Sequence, residues 1–171
     1  MVNLPPFDDV VAQHGPLVLR ICRVLVGPSD ADDVWSETFL SALRAYPDLR
    51  PDSDVRAWLV TIAHHRGVDL LRRRARSAAP SDDLDGLEPL GTPPDAVDHV
   101  VSDRVVFDRT LLDAVASLPP KQRAAVAYRY LADLPYAQIA ELIGNSEVAA
   151  RRSAADGIAR LRATLPEGAL R

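Results

Sequence analysis

Two stretches of this chain hold residue types at spacings that suit contact with nucleic acid. The first is the run RRRAR at 72–76, which with Arg66 places five arginines between 66 and 76. A guanidinium is a planar fork of donors that matches a phosphate or a guanine edge. Contacts to phosphate give salt-dependent affinity without sequence information. The second stretch is LPYAQIAELIGNSEVAARRSAADGIARL at 134–161. Ile139, Ala140 and Ile143 give it a helical apolar face, Gly144 breaks that pattern, and Ser146 can cap a second helix. The small Ala140 lets two helices cross closely. This is the pattern of a helix-turn-helix, whose second helix can enter a major groove. An ordinary αα-hairpin uses the same turn chemistry and stays open on this segment alone.

Other chemistries find little support. His64 and His65 are adjacent, and neighbours on a helix point about 100° apart, so a shared metal site is not expected. Cys22 is the single cysteine; it lies between Ile21 and Val24 and reads as a packed core thiol. No Cys or His set has metal-ligand spacing. There is no Glu-x-x-His pair of the kind used by helical-bundle enzymes and no phosphate-binding glycine loop. No catalytic residue, metal or cofactor is therefore expected.

The elements that must position these residues read as helices throughout. Residues 7–26 carry an apolar pattern interrupted by Gly15 and Pro16, which predicts two short helices. Gly27 and Pro28 end the second, and Ser29 or Asp30 is placed to cap a helix over about 30–46. Ala31, Val34, Trp35, Thr38, Phe39, Ala42 and Tyr46 mark its apolar face; Asp32, Asp33, Ser36, Glu37 and Arg44 lie opposite. Pro47 and Pro51 bound a loop. A long helix is predicted from Ser53 to about Arg76, with Val55, Leu59, Ile62 and Leu70 on its stripe. Trp58 reads as core rather than as a stacking platform. Residues 77–103 hold seven acidic side chains, no basic one and four of the fourteen prolines, the composition of a flexible tether. Helical pattern resumes near Asp103 and runs to Ser117, LPPKQR at 118–123 starts another helix on a proline, and that helix extends to about Ala132.

The chain thus predicts an all-α protein with two helical domains, 1–76 and 104–171, joined by a flexible acidic linker at 77–103. With 171 residues, 47% of them hydrophobic, it can bury two small cores. The net charge of −4 hides a partition, because residues 104–171 hold ten basic and seven acidic side chains. Nineteen of the twenty basic residues are arginine. No apolar run approaches a membrane span, and the acidic, proline-broken start is not a signal peptide, so a cytoplasmic location without direct membrane association is expected.

The order of parts resembles RNA polymerase sigma factors of the extracytoplasmic-function type, the two-domain members of the sigma-70 family. Two segments and their spacing carry the resemblance: DADDVWSETFLSALRAYPDLRPDSDVRAWLVTIAHHRGVDLLRRR (30–74) and LPPKQRAAVAYRYLADLPYAQIAELIG (118–144). It implies a protein that binds core RNA polymerase, reads −10 and −35 promoter elements and aids melting, while the polymerase supplies the chemistry. The resemblance places polymerase contacts, to the clamp of the largest subunit, on Asp32, Asp33, Ser36, Glu37 and Leu40. The −10 contacts fall on Leu49 and Arg50, which would supply an apolar wall and a polar donor to a flipped base, and on Arg56, His65, Arg72 and Arg73. The −35 contacts fall on Ser146, Glu147, Arg151, Arg152 and Ala155. Core polymerase at its clamp and flap, promoter DNA and an anti-sigma factor are the implied partners. The acidic linker would thread channels built to hold polyanions. The chain departs from the family pattern at Ser36, where Gln is usual, at Asn145, where an apolar residue is usual, and at Val148–Ala150, which replace Gly-Thr-Val. Asp156 stands where a basic residue is frequent. A stand-alone helix-turn-helix regulator is the competing reading; it would have no need of the 30–74 segment.

Overall fold

The computed structural model describes residues 4–78 and 103–165, with side chains from 109 onward in the second stretch. The expected linker lies almost wholly outside them. The chain divides into two compact units, Met1–Glu88 and Pro89–Arg171. Among the described residues every regular element is helical, as predicted. None of these helices is long and apolar enough to cross a membrane.

The first unit is a bundle of α1 (Phe7–Val26), α2 (Pro28–Ala45) and α3 (Val55–Ala78). Its core gathers Val10, Val18, Cys22, Ala31, Val34, Phe39, Ala42, Leu59 and Ala63. Residues 7–26 form one helix, not two, with Pro16 inside it. A proline there forfeits a backbone hydrogen bond and costs about 3 kcal/mol. The exposed ring faces solvent, while Val10, Val18, Ile21, Val24 and Leu25 on both sides of it are buried. At roughly 1.5–3 kcal/mol for each such side chain, the continuous stripe outweighs the break. Trp35 Nε1 also donates to the Gly15 carbonyl at 2.9 Å, holding the helix to α2 at the break itself.

Gly27, at φ 85°, turns the chain into α2, and Pro28 takes its first helical position. Neither Ser29 nor Asp30 caps this helix, because it starts earlier than the pattern suggested. Asp30 is instead buried against Arg74. The predicted apolar face of α2 is buried or half-buried throughout. A short 3₁₀ turn, Tyr46–Asp48, follows, closed by Leu49 N–H donating to the Tyr46 carbonyl at 3.1 Å. Asp54 then caps α3, its Oδ1 accepting from Ala57 N–H at 3.0 Å. Trp58 packs on the core beside Tyr46, ring centroids 6.3 Å apart.

The second unit contains α4 (Asp103–Ala116), α5 (Pro120–Val126), α6 (Tyr136–Ile143) and α7 (Glu147–Thr164). Pro120 starts α5 as expected, and the helix continues to Leu131 through a wider π turn, Ala127–Leu131. Arg123 is buried, and its Nε and Nη2 both donate to the Leu118 carbonyl at 3.2 and 3.1 Å, fastening the turn before α5. Burial lowers its pKa.

Candidate nucleic-acid interface

The turn between α6 and α7 follows the local chemistry of its residues. Gly144 adopts the left-handed conformation, φ 66° and ψ 45°, and its N–H donates to the Ala140 carbonyl. Asn145 N–H donates to the same carbonyl at 3.0 Å. The Asn145 Oδ1 is buried and finds no partner among the described residues, the cost of a polar side chain where a turn of this kind favours an apolar one. Ser146 caps α7, its Oγ accepting from Ala149 N–H at 3.2 Å.

One face of α7 is built of small residues: Ala150, Ala154 and Gly157 are buried, with Leu161 beyond them. A Cβ at Gly157 would come within 2.6 Å of Val126 Cγ2 and 3.4 Å of the Gln122 carbonyl oxygen. The glycine is thus what lets α5 and α7 approach. The opposite face presents Glu147, Val148, Arg151, Arg152 and Ala155 to solvent. The five residues assigned to the −35 element fall at the exposed N-terminal part of one helix, where recognition helices meet base edges. Ser146 is spent partly as a cap.

Arg151 donates through Nη2 to Glu147 Oε1 at 3.0 Å. Its guanidinium also lies over the Tyr136 ring, 4.8 Å from the centroid. Arg129 approaches the same ring at 5.5 Å and pairs with Asp133 at 3.0 Å. Asp133 holds a positive φ of 52°. Arg152 reaches Asp156 only at 4.0 Å. Sequence reading missed Tyr136, Arg129 and Val148. Val148 is 78% exposed, the highest among the exposed large hydrophobic side chains of the described residues. Its signal was present, since an apolar residue sits two places after a cap on the polar side of a helix.

The first unit presents two surfaces. On α2, Asp32, Asp33, Ser36, Glu37 and Leu40 share the exposed face, so the structure brings the assigned polymerase set together. Leu40 and Leu43 are 50% and 51% exposed there, an apolar centre beside carboxylates. Ser36 Oγ donates back to the Asp32 carbonyl at 2.9 Å.

The set assigned to the −10 element is less unified. Leu49 is half-buried beside the exposed Arg50, which pairs loosely with Asp52 at 3.6 Å. His65 and Arg72 are exposed on α3 and, seven residues apart, share a face. Arg56 lies nine residues before His65, half a turn away around the helix. It sits near His14 of α1, whose pKa is lowered first by burial and then by the Arg56 charge. Arg73 is exposed, its Nε donating to the Asp69 carbonyl at 3.3 Å. The basic run itself divides: Arg74 is paired with the buried Asp30, and Arg66 Nε donates to Ser41 Oγ at 3.1 Å. Those two arginines join α3 to α2, leaving Arg72, Arg73 and Arg76 as the outward cations.

Residues 10–77 match the family model for sigma-70 region 2, and residues 108–161 match that for sigma-70 region 4. The chain is 32% identical to RNA polymerase sigma factor CarQ of Myxococcus xanthus, over 94% of this chain and 90% of the relative. It is 34% identical to ECF RNA polymerase sigma factor BldN of Streptomyces coelicolor, over 95% of this chain and 61% of that one. Among solved structures, it is similar to the sigma factor RpoE of Bartonella quintana, in complex with the anti-sigma factor NepR. The TM-score is 0.66 at 18% identity, over 91% of this chain and 94% of that one.

Proposed function

The chain belongs to the sigma-70 family of RNA polymerase sigma factors, in its extracytoplasmic-function branch, and we propose that its exposed faces divide promoter recognition as follows. The outer face of α2 docks on the clamp of core polymerase through Asp32, Asp33, Ser36, Glu37 and Leu40. Leu49 and Arg50 receive an unstacked −10 base, and His65, Arg72 and Arg73 follow the strand along α3. Arg56 acts from the other side of that helix. The face of α7 enters the major groove at the −35 element through Ser146, Glu147, Arg151, Arg152 and Ala155. The domains are 1–76 and 104–171, tethered by 77–103. An apolar groove of the second unit, lined by Leu111, Leu112, Val115, Tyr130, Leu131 and Ile158, suits the polymerase flap. The polymerase supplies the chemistry of RNA synthesis, and the protein works in the cytoplasm. An anti-sigma factor belongs to the same reading.

The observation that carries this reading is the two-faced α7: small residues packed on α5 behind, and two arginines, a valine and a glutamate turned outward in front. The reading is favoured over a stand-alone regulator by the first unit, whose α2 keeps two half-exposed leucines among carboxylates. A pull-down tests that surface. Purified chain should co-purify with core polymerase at low salt. The pair Asp32→Lys and Glu37→Lys should reduce capture at least tenfold, while the helical circular dichroism spectrum is retained. Undiminished capture by that double variant would remove α2 as the docking face.

A further inference from the structure

Resting on the −35 reading of α7, we propose that Tyr136 is a positioning residue for Arg151: it holds the guanidinium in place before DNA arrives. Tyr136 is the first residue of α6, Arg151 lies in the second turn of α7, and Arg129 comes from the π turn. Three elements therefore meet on one ring, with Arg151 at 4.8 Å and Arg129 at 5.5 Å from its centroid. Each guanidinium also has its own carboxylate, Glu147 for Arg151 and Asp133 for Arg129, both at 3.0 Å. The second cation near the ring is thereby balanced locally.

A stack suits this task better than an ion pair. Stacking uses the flat face of the guanidinium and consumes none of its five N–H donors. The edge that would bond guanine O6 and N7 stays available. The Glu147 pair is solvent-exposed on both sides, 64% and 52%, so a base edge can displace it readily. A long side chain held beforehand loses less rotamer freedom on binding, which raises discrimination without any added contact. The phenol hydroxyl takes no part in this argument; the ring does.

The test uses the full chain assembled with core polymerase, on promoter duplexes in which each −35 base pair is replaced in turn. Arg151→Ala should abolish discrimination at one position. Tyr136→Leu should lower discrimination at that same position at least fivefold, and Tyr136→Phe should keep it. In the free chain, the Arg151 side-chain protons should show upfield ring-current shifts by NMR in the wild type and in Tyr136→Phe, and lose them in Tyr136→Leu. Thermal melting of each variant confirms a folded chain. If Arg151→Ala loses discrimination while Tyr136→Leu retains it, Tyr136 does not position Arg151. If Arg151→Ala retains it, the −35 reading of α7 falls and the inference with it. Unshifted Arg151 protons in the wild type overturn the stack alone.

Discussion

An exposed valine in the first turn of a helix gains nothing from the fold. Val148 leaves most of its surface in water, and it stands one helical turn from both Arg151 and Arg152. In a major groove, the partner for two outward methyl groups is the C5-methyl of thymine. Replacing one thymine of the −35 element by deoxyuridine removes that methyl without changing base pairing. Wild-type binding should weaken by about 0.8 kcal/mol, roughly fourfold, at a single position. Val148→Ala should be indifferent to the same replacement. Equal sensitivity in the two proteins would place the valine elsewhere. Cys22 makes the opposite case, fully buried with its thiol pushed up to about 12, chiefly by burial. Because the folded value lies above the ordinary one of 9.0, its contribution is complete below about pH 9 and is lost as pH rises from there toward 12. A thiol reagent at pH 8 should label the chain only after unfolding; rapid labelling of the native chain would contradict the buried thiol.

At the scale of elements, the legible features were those written in local chemistry. Gly144, Ser146 and the proline start at Pro120 each forecast the turn or cap that forms. The face of α2 was legible for the same reason, since Val34, Thr38 and Phe39 repeat at helical spacing. The continuous α1 was not, because Pro16 is a local signal overridden by tertiary burial on either side of it. Nor was the division of the arginine run, because the Asp30–Arg74 pair joins residues 44 positions apart. Gly157 shows both levels at once. Glycine has low helix propensity, and its reason for standing here is the approach of Val126. Gly157→Ala should gain about 1 kcal/mol of propensity and lose about 1–3 kcal/mol to overpacking against a stiff β-branched side chain. The expected net result is a lower melting temperature, restored in part by adding Val126→Ala. A melting temperature that rises on Gly157→Ala alone would show that the two helices can yield.

At the scale of the whole molecule, the chain is acidic overall, yet five exposed arginines fall in two groups where DNA is proposed to lie. Arg72, Arg73 and Arg76 end α3, and Arg151 and Arg152 open α7. The carboxylates of α2 lie on a separate exposed face, the one proposed for polymerase. On this proposal the chain offers separate surfaces to polymerase and to DNA, and a single reader helix would account for only the second. Run-off transcription tests this most directly. The template is a promoter mapped by sequencing transcript 5′ ends after the protein is overexpressed. Core polymerase with the purified chain should yield one transcript of defined length, and core polymerase alone should yield none. The Arg151→Ala, Arg152→Ala double variant should sharply reduce that transcript. A folded wild-type chain that directs no transcript, or a double variant that directs as much as wild type, would contradict the account.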